Sequence, residues 1–196
     1  MTRLVLASAS ARRRELLQQI GVSARVLPAD IDESVHNGES ASAYVSRLAI
    51  EKAEAVRHQL ENDEVSLGSD TSVVVGGKIL GKPDSLTEAR VMLHLLSASR
   101  HQVMTAVALA GAGSTRHRLV VTDVWFRPIT DAQIDAYWAS GEPQDKAGAY
   151  GIQGLGAVFV DRIEGSYSAV VGLPLAETAE LLEEAGVPVW QLSVKN

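Results

Sequence analysis

Six ionisable residues stand where a charge is out of place for its surroundings: Arg12, Arg13, Lys52 and Lys82 as cations, Glu33 and Asp70 as carboxylates. Several cations converging with unpaired backbone N–H groups suit a polyphosphate, because arginine grips phosphate oxygens in a fork and lysine supplies a point charge. Carboxylates beside a polyphosphate are repelled unless a divalent cation lies between, and oxygen-only ligation favours Mg2+ or Mn2+. The combination describes metal-assisted hydrolysis of a phosphoanhydride. One carboxylate helps hold the metal and orients or deprotonates water, while the cations stabilise charge on the equatorial and leaving oxygens. No Ser-His-Asp set presents itself, and the absence of cysteine closes a covalent thiol route.

The elements that must position these groups follow from local pattern. Leu4 to Gly21, LVLASASARRRELLQQIG, reads as a short apolar strand, a turn of small and hydroxyl residues including Ser8, and a helix ended by Gly21. Arg12, Arg13 and Arg14 fall in the first turn of that helix, where they oppose the helix dipole and one another, so an anion is expected among them. A second strand is expected at Ala24 to Leu27, followed by an acidic loop, Asp30-Ile31-Asp32-Glu33, that is either solvated or a metal ligand. From Ser42 to Leu60, Tyr44, Val45, Leu48, Ala49, Ala53, Val56 and Leu60 recur at helical spacing. Lys52 shares that apolar stripe, so its ammonium either snorkels to the rim or points into a cleft at an anion.

Val65 to Val75 reads as a strand that Gly76-Gly77 turns back into a hairpin, with Lys82 returning on the partner strand. Asp70 interrupts this apolar strand, where a carboxylate needs a hydrogen-bond partner, a counter-charge or a metal. Ser85-Leu86-Thr87-Glu88 and Thr130-Asp131-Ala132-Gln133 are capping-box patterns that start scaffold helices. Between them, His101 to Ala110 and Leu119 to Arg127 alternate like a long antiparallel hairpin, and His101 and His117 near its strand ends read as surface histidines. The segment DKAGAYGIQGLG, Asp145 to Gly156, is dense in glycine, which implies a sharply turning backbone that something approaches closely, and it fits neither the Walker nor the dinucleotide fingerprint. A strand at Ala157 to Ile163, a helix led in by Pro174 and ended by Gly186, and an edge strand at 187–194 complete the chain.

With 196 residues, ordinary apolar content and no repeat or long linker, the chain fits a single domain, 1–196. A net charge of −6 argues against nucleic acid as a partner, and no segment reads as a signal peptide or a membrane span. A soluble, cytoplasmic protein is the expectation.

The segments LASASARRRELL, ESASAYVSRLAIEKA, LGSDTSVVVGGKILGKP, HQVMTAVAL, DKAGAYGIQGLGAVFV and GSYSAVVGLPL, in this order, resemble the Maf family of nucleoside triphosphate pyrophosphatases over essentially the whole length. The resemblance implies an α/β fold, a mixed twisted sheet flanked by helices with two lobes around a deep cleft, similar to inosine triphosphate pyrophosphatase, and frequent homodimers. It implies cleavage of the α–β phosphoanhydride of a nucleotide substrate with a divalent metal, Mg2+ or Mn2+. By position, Asp70 is the proton acceptor, Ser8, Arg12, Arg13, Lys52 and Lys82 match phosphate-binding residues, and Glu33 pairs with Asp70 on the metal. Arg12, Thr71 and Gln153 match the pyrimidine branch, which acts on dTTP and UTP, rather than the branch for 7-methylguanosine triphosphate. Ala11 stands where the family usually has proline, and Ser69, where it often has alanine, is expected to add a hydroxyl beside the catalytic carboxylate. Two other readings compete: a nucleotide-binding regulator of septum formation without significant turnover, and a polyanion-binding domain suggested only by Arg12 to Arg14.

Overall fold

A computed structural model describes residues 1–191. In chain order the elements are β1 (Arg3–Leu6), α1 (Ala11–Gln19), β2 (Ala24–Val26), α2 (Ala41–Ala55), β3 (Glu64–Val75), β4 (Lys78–Leu80), α3 (Leu86–Leu96), β5 (Arg100–Ala110), β6 (Arg116–Phe126), α4 (Asp131–Ala139), β7 (Val160–Glu164), α5 (Tyr167–Val171) and α6 (Leu175–Glu184), with short 3-10 turns between. The strands form one seven-stranded sheet in the order β2-β1-β3-β5-β6-β7, with β4 beside β3. The sheet is mixed: β1 runs parallel to β2 and β3, whereas β4 is antiparallel to β3 and β7 to β6. The fold class is therefore α/β, as the alternation of strand and helix patterns implies.

The chain divides into two compact units. The first comprises 1–70, 105–120 and the chain from Gly172 onward. Its β1-α1-β2 crossover joins two parallel strands, and Leu4, Val5, Leu6, Leu17, Leu48, Leu67 and Leu181 are buried in it. β1 reads as a near-continuous apolar run because it is covered by a neighbour on each edge and buried throughout Leu4–Leu6. Helix α2 buries Val45, Leu48, Ala49, Lys52 and Ala53, the stripe that the 3.6-residue period dictates.

The second unit comprises 71–104 and 121–171. Gly76 (φ 55°) and Gly77 (φ 78°) both adopt the left-handed backbone of a two-residue hairpin turn, closing β3 onto β4 with Val74 opposite Ile79. Ser85 caps α3 through the Glu88 N–H, and Thr130 with Gln133 forms a complete capping box on α4. Leu93, Leu96, Phe126, Ile134, Tyr137, Tyr150 and Phe159 belong to the apolar core of this unit.

Several expectations are corrected. Strand β4 ends at Leu80, so Lys82 follows the hairpin instead of lying on its paired strand, and it is exposed. His101 is 2% exposed, in an aromatic cluster with Phe126 and Tyr150, because β5 is buried along most of its length. His117 is exposed as expected. Residues 155–159 form a 3-10 turn, and the strand begins only at Val160. No strand forms at 187–191, and the rest of the expected edge strand lies outside the described residues.

Candidate functional site

The first unit brings Lys52, Asp70 and Glu33 together. Lys52 Nζ lies 2.8 Å from Asp70 Oδ1 and 2.8 Å from Glu33 Oε1. Lys52 and Asp70 are each 8% exposed, so the ammonium points inward at a buried carboxylate and does not snorkel. The face of β3 that meets α2 explains how these groups reach one another. Along that face Ser66, Gly68 and Asp70 alternate at the strand period. Ser66 Oγ donates to the Ala53 carbonyl at 2.7 Å. At Gly68 a Cβ would fall 2.2 Å from Ala49 O and 2.5 Å from Ala53 N, so only glycine lets the strand lie this close to the helix backbone. One step further, Asp70 accepts the hydrogen bond of Lys52.

Burial pushes the Asp70 carboxyl above its ordinary value. The Lys52 charge and hydrogen bond oppose this, as does Arg13, while the Glu33 charge adds to it. The result is a carboxylate held among cations yet more basic than a solvated aspartate, the property wanted of a proton acceptor.

Arg13 and Ser8 form a second part of the same unit. Ser10 caps α1 by accepting from the Arg13 N–H, and no acidic residue sits in the first turn. Arg13 Nη1 donates to Ser8 Oγ at 3.2 Å and Nε to the Gly172 carbonyl at 2.9 Å, which fixes the guanidinium at two points. Desolvation lowers this guanidinium from its ordinary value, with the Asp70 charge acting in the opposite sense and Arg12 adding to the lowering. Ser69 Oγ also donates to the Gly172 carbonyl, at 3.2 Å. As a neighbour of Asp70 in an extended strand it faces the other way, so its hydroxyl braces the Gly172 carbonyl and is not an addition to the carboxylate. Arg12 is half-buried in the first turn of α1, and Arg14 is exposed.

Glu33 is exposed, but its loop is tied to α2. Tyr44 Oη donates to the Glu33 carbonyl at 2.8 Å. Arg47 grips Glu39 with two bonds of 2.7 and 2.8 Å and donates to the Ser34 carbonyl at 2.9 Å. Tyr44, Arg47, Ser66 and Gly68 are positioning residues that sequence reading missed. The advance signal is that Tyr44 lies eight residues, about two turns, before Lys52 on the same helix, with Arg47 three residues after Tyr44.

The remaining expected residues belong to the second unit. Thr71 is half-buried and follows Asp70 on β3, with its side chain on the opposite strand face. Lys82 is exposed after β4, and Gln153 is exposed within the glycine-rich segment.

Both carboxylates converge on one positive charge, the Lys52 ammonium. Two carboxylate donors with no nitrogen or sulfur suit a hard divalent cation that completes its shell with waters and substrate phosphate oxygens. Among the described residues no cluster of three or more His, Cys, Asp or Glu side chains could hold an ion. The donor set thus fits a cation shared with substrate, not an all-protein cage. No helix among the described residues is long and apolar enough to cross a membrane.

The family profile described as Maf-like protein matches residues 3–185. The dTTP/UTP pyrophosphatase of Hahella chejuensis is 52% identical over 190 residues, covering 96% of this chain and 94% of the relative. That of Colwellia psychrerythraea is 53% identical over 188 residues, covering 94% and 89%. Among solved structures, the Staphylococcus aureus Ham1 protein is similar with a TM-score of 0.46 and 17% identity, over 64% of this chain and 72% of that one. A Mycobacterium abscessus dITP/XTP pyrophosphatase gives a TM-score of 0.45 and 16% identity, over 94% and 96%.

Proposed function

The chain belongs to the Maf family, and from that premise we propose that it is a pyrophosphatase hydrolysing the α–β phosphoanhydride of dTTP and UTP, with CTP and modified pyrimidine nucleotides as further candidates. The observation that carries the reading is the buried Lys52–Asp70 pair, with Glu33 on the same ammonium and Arg13 within electrostatic reach of both carboxylates. A binding module for triphosphate has no use for a buried carboxylate beside its anionic ligand.

In this reading Asp70 accepts the proton of the attacking water. The water oxygen joins a phosphorus of the α–β anhydride as the bridging bond breaks, and the products are the nucleoside monophosphate and pyrophosphate. Lys52 keeps Asp70 ionised and oriented and lends its charge to the phosphates. Ser8, Arg12, Arg13 and Lys82 bind phosphate oxygens, with Arg13 pre-set by its bonds to Ser8 and Gly172. Glu33 and Asp70 would hold Mg2+ or Mn2+, which when bound neutralises phosphate charge and polarises the phosphoryl group. Arg12, Thr71 and Gln153 select the base, the neutral Gln153 amide offering both a donor and an acceptor to a pyrimidine edge. The protein acts in the cytoplasm as a homodimer.

The test is product analysis with dTTP, UTP, CTP, 7-methyl-GTP and the common purine triphosphates, with and without Mg2+ or Mn2+. The reading expects pyrophosphate and monophosphate, fastest from dTTP and UTP and dependent on metal. Tight binding of dTTP without turnover, or preference for 7-methyl-GTP, would contradict it.

A further inference from the structure

The glycine-rich segment turns around a carboxylate that plays no part in the chemistry above. Glu142 follows Gly141 (φ 78°) at the start of a 3-10 turn, and its carboxylate reaches forward to the segment. Oε2 accepts from the Leu155 N–H at 2.8 Å, and Oε1 accepts from the Gly156 N–H at 3.1 Å and from Tyr137 Oη at 2.8 Å. Tyr137 Oη in turn accepts from the Gly151 N–H at 3.0 Å. Three backbone N–H groups, from two residues before Gln153 to three after it, thus converge on one carboxylate–phenol pair.

The glycines are there to let this happen. A Cβ at Gly154 would lie 2.2 Å from Glu142 Oε2, and one at Gly156 would lie 2.6 Å from Tyr137 Oη. What approaches the segment closely is therefore this chain's own Glu142 and Tyr137. Desolvation pushes the Glu142 carboxyl up, but the Gly156 and Leu155 N–H groups, Tyr137 and the Lys146 charge together hold it below its ordinary value.

We propose that Glu142, clamped between Tyr137 and the N–H groups of Leu155 and Gly156, is the positioning residue that sets the presentation of Gln153 and through it the choice of base. The inference rests on the reading of Gln153 as a base-selecting residue. Glu142 touches no substrate in this account, and its effect runs through the backbone on either side of Gln153.

Glu142→Gln is nearly isosteric and isolates the device. Whichever way the amide turns, its NH2 faces either the Leu155 or the Gly156 N–H, so one donor meets another. The readout is the ratio of kcat/KM for dTTP to that for dCTP, which differ at the base, measured for the wild type, Glu142→Gln, Gln153→Ala and the double variant. The expected result is a fall in this ratio of about tenfold in Glu142→Gln, the order of effect of one broken backbone hydrogen bond. The double variant should fall no further than Gln153→Ala, since coupled residues do not add. Amide hydrogen exchange at Leu155 and Gly156 should accelerate in Glu142→Gln, and Tyr137→Phe, which leaves the carboxylate, should show a smaller shift in the same direction. An equal loss of activity on both nucleotides, with the ratio unchanged while Gln153→Ala lowers it, overturns this inference and leaves the reading of Gln153 standing. An unchanged ratio in Gln153→Ala overturns both.

Discussion

Replacing Lys52 by methionine keeps the packed stem of the side chain and deletes its charge, leaving Asp70 buried without its nearest partner. Both residues are 8% exposed and 2.8 Å apart, so the pair is buried and is expected to behave as one. Removing one member of such a pair costs roughly 3–5 kcal/mol, and the Arg13 charge near Asp70 argues for the lower end, about 3 kcal/mol. The penalty should depend on pH in a fixed direction. The Asp70 carboxyl is already raised by burial, and Lys52 pulls it down, so loss of Lys52 raises it further. A carboxyl raised in the folded state favours folding at low pH, and that contribution is lost as pH climbs through the folded-state value. Urea unfolding of Lys52→Met against the wild type should therefore show about 3 kcal/mol of destabilisation near pH 8, shrinking towards about 1 kcal/mol at an acid pH at which Asp70 has taken up its proton. The acid limb of kcat/KM should move to higher pH in the same variant. A penalty below about 1 kcal/mol at both pH values would place the ammonium in solvent. A pH-independent penalty would show that Asp70 is not the group left stranded.

Two further outcomes follow from packing. Gly68→Ala drives a Cβ into the backbone of α2 at Ala49 and Ala53, so it should destabilise by about 3 kcal/mol or more and lower kcat by parting Lys52 from Asp70; wild-type stability in urea would contradict the close approach. His101, whose pKa burial lowers to about 4 from 6.5, should contribute about 3 kcal/mol that is present above pH 6.5 and lost as pH falls towards 4, because the unfolded chain takes the proton first. A His101→Phe variant should lack that part of the acid dependence, and an unchanged acid dependence would refute it.

What could be read in the sequence were features set by local period. The stripe Val45, Leu48, Ala49, Lys52 and Ala53 is a matter of 3.6-residue spacing, and a lysine or an aspartate on an apolar face announces itself as needing a partner. The Gly76-Gly77 turn and the Thr130 capping box are equally local. What could not be read were partners brought together by tertiary packing. His101 finds Tyr150 at 2.8 Å across 49 residues, and neither residue type nor spacing distinguishes it from a histidine at a strand end. Gly68 lies in a strand and owes its necessity to a helix backbone elsewhere in the chain. The density of glycine at 148–156 showed that something comes close, and only the structure identifies it as Glu142 and Tyr137. Lys82 reads as part of the returning strand because Pro83 ends the pairing only after it, whereas in the structure β4 already stops at Leu80, before Gly81.

The most direct test of the account is single-turnover hydrolysis of dTTP by Asp70→Asn beside dTTP binding by the same variant. The amide preserves size but cannot accept the water proton, so the rate of the chemical step should fall by roughly 10²–10⁴-fold while dTTP still binds at least as tightly as to the wild type, the repulsion of a carboxylate being gone. A chemical step within a few-fold of the wild type would remove Asp70 from the role of base and, with it, the meaning assigned to its buried pair with Lys52.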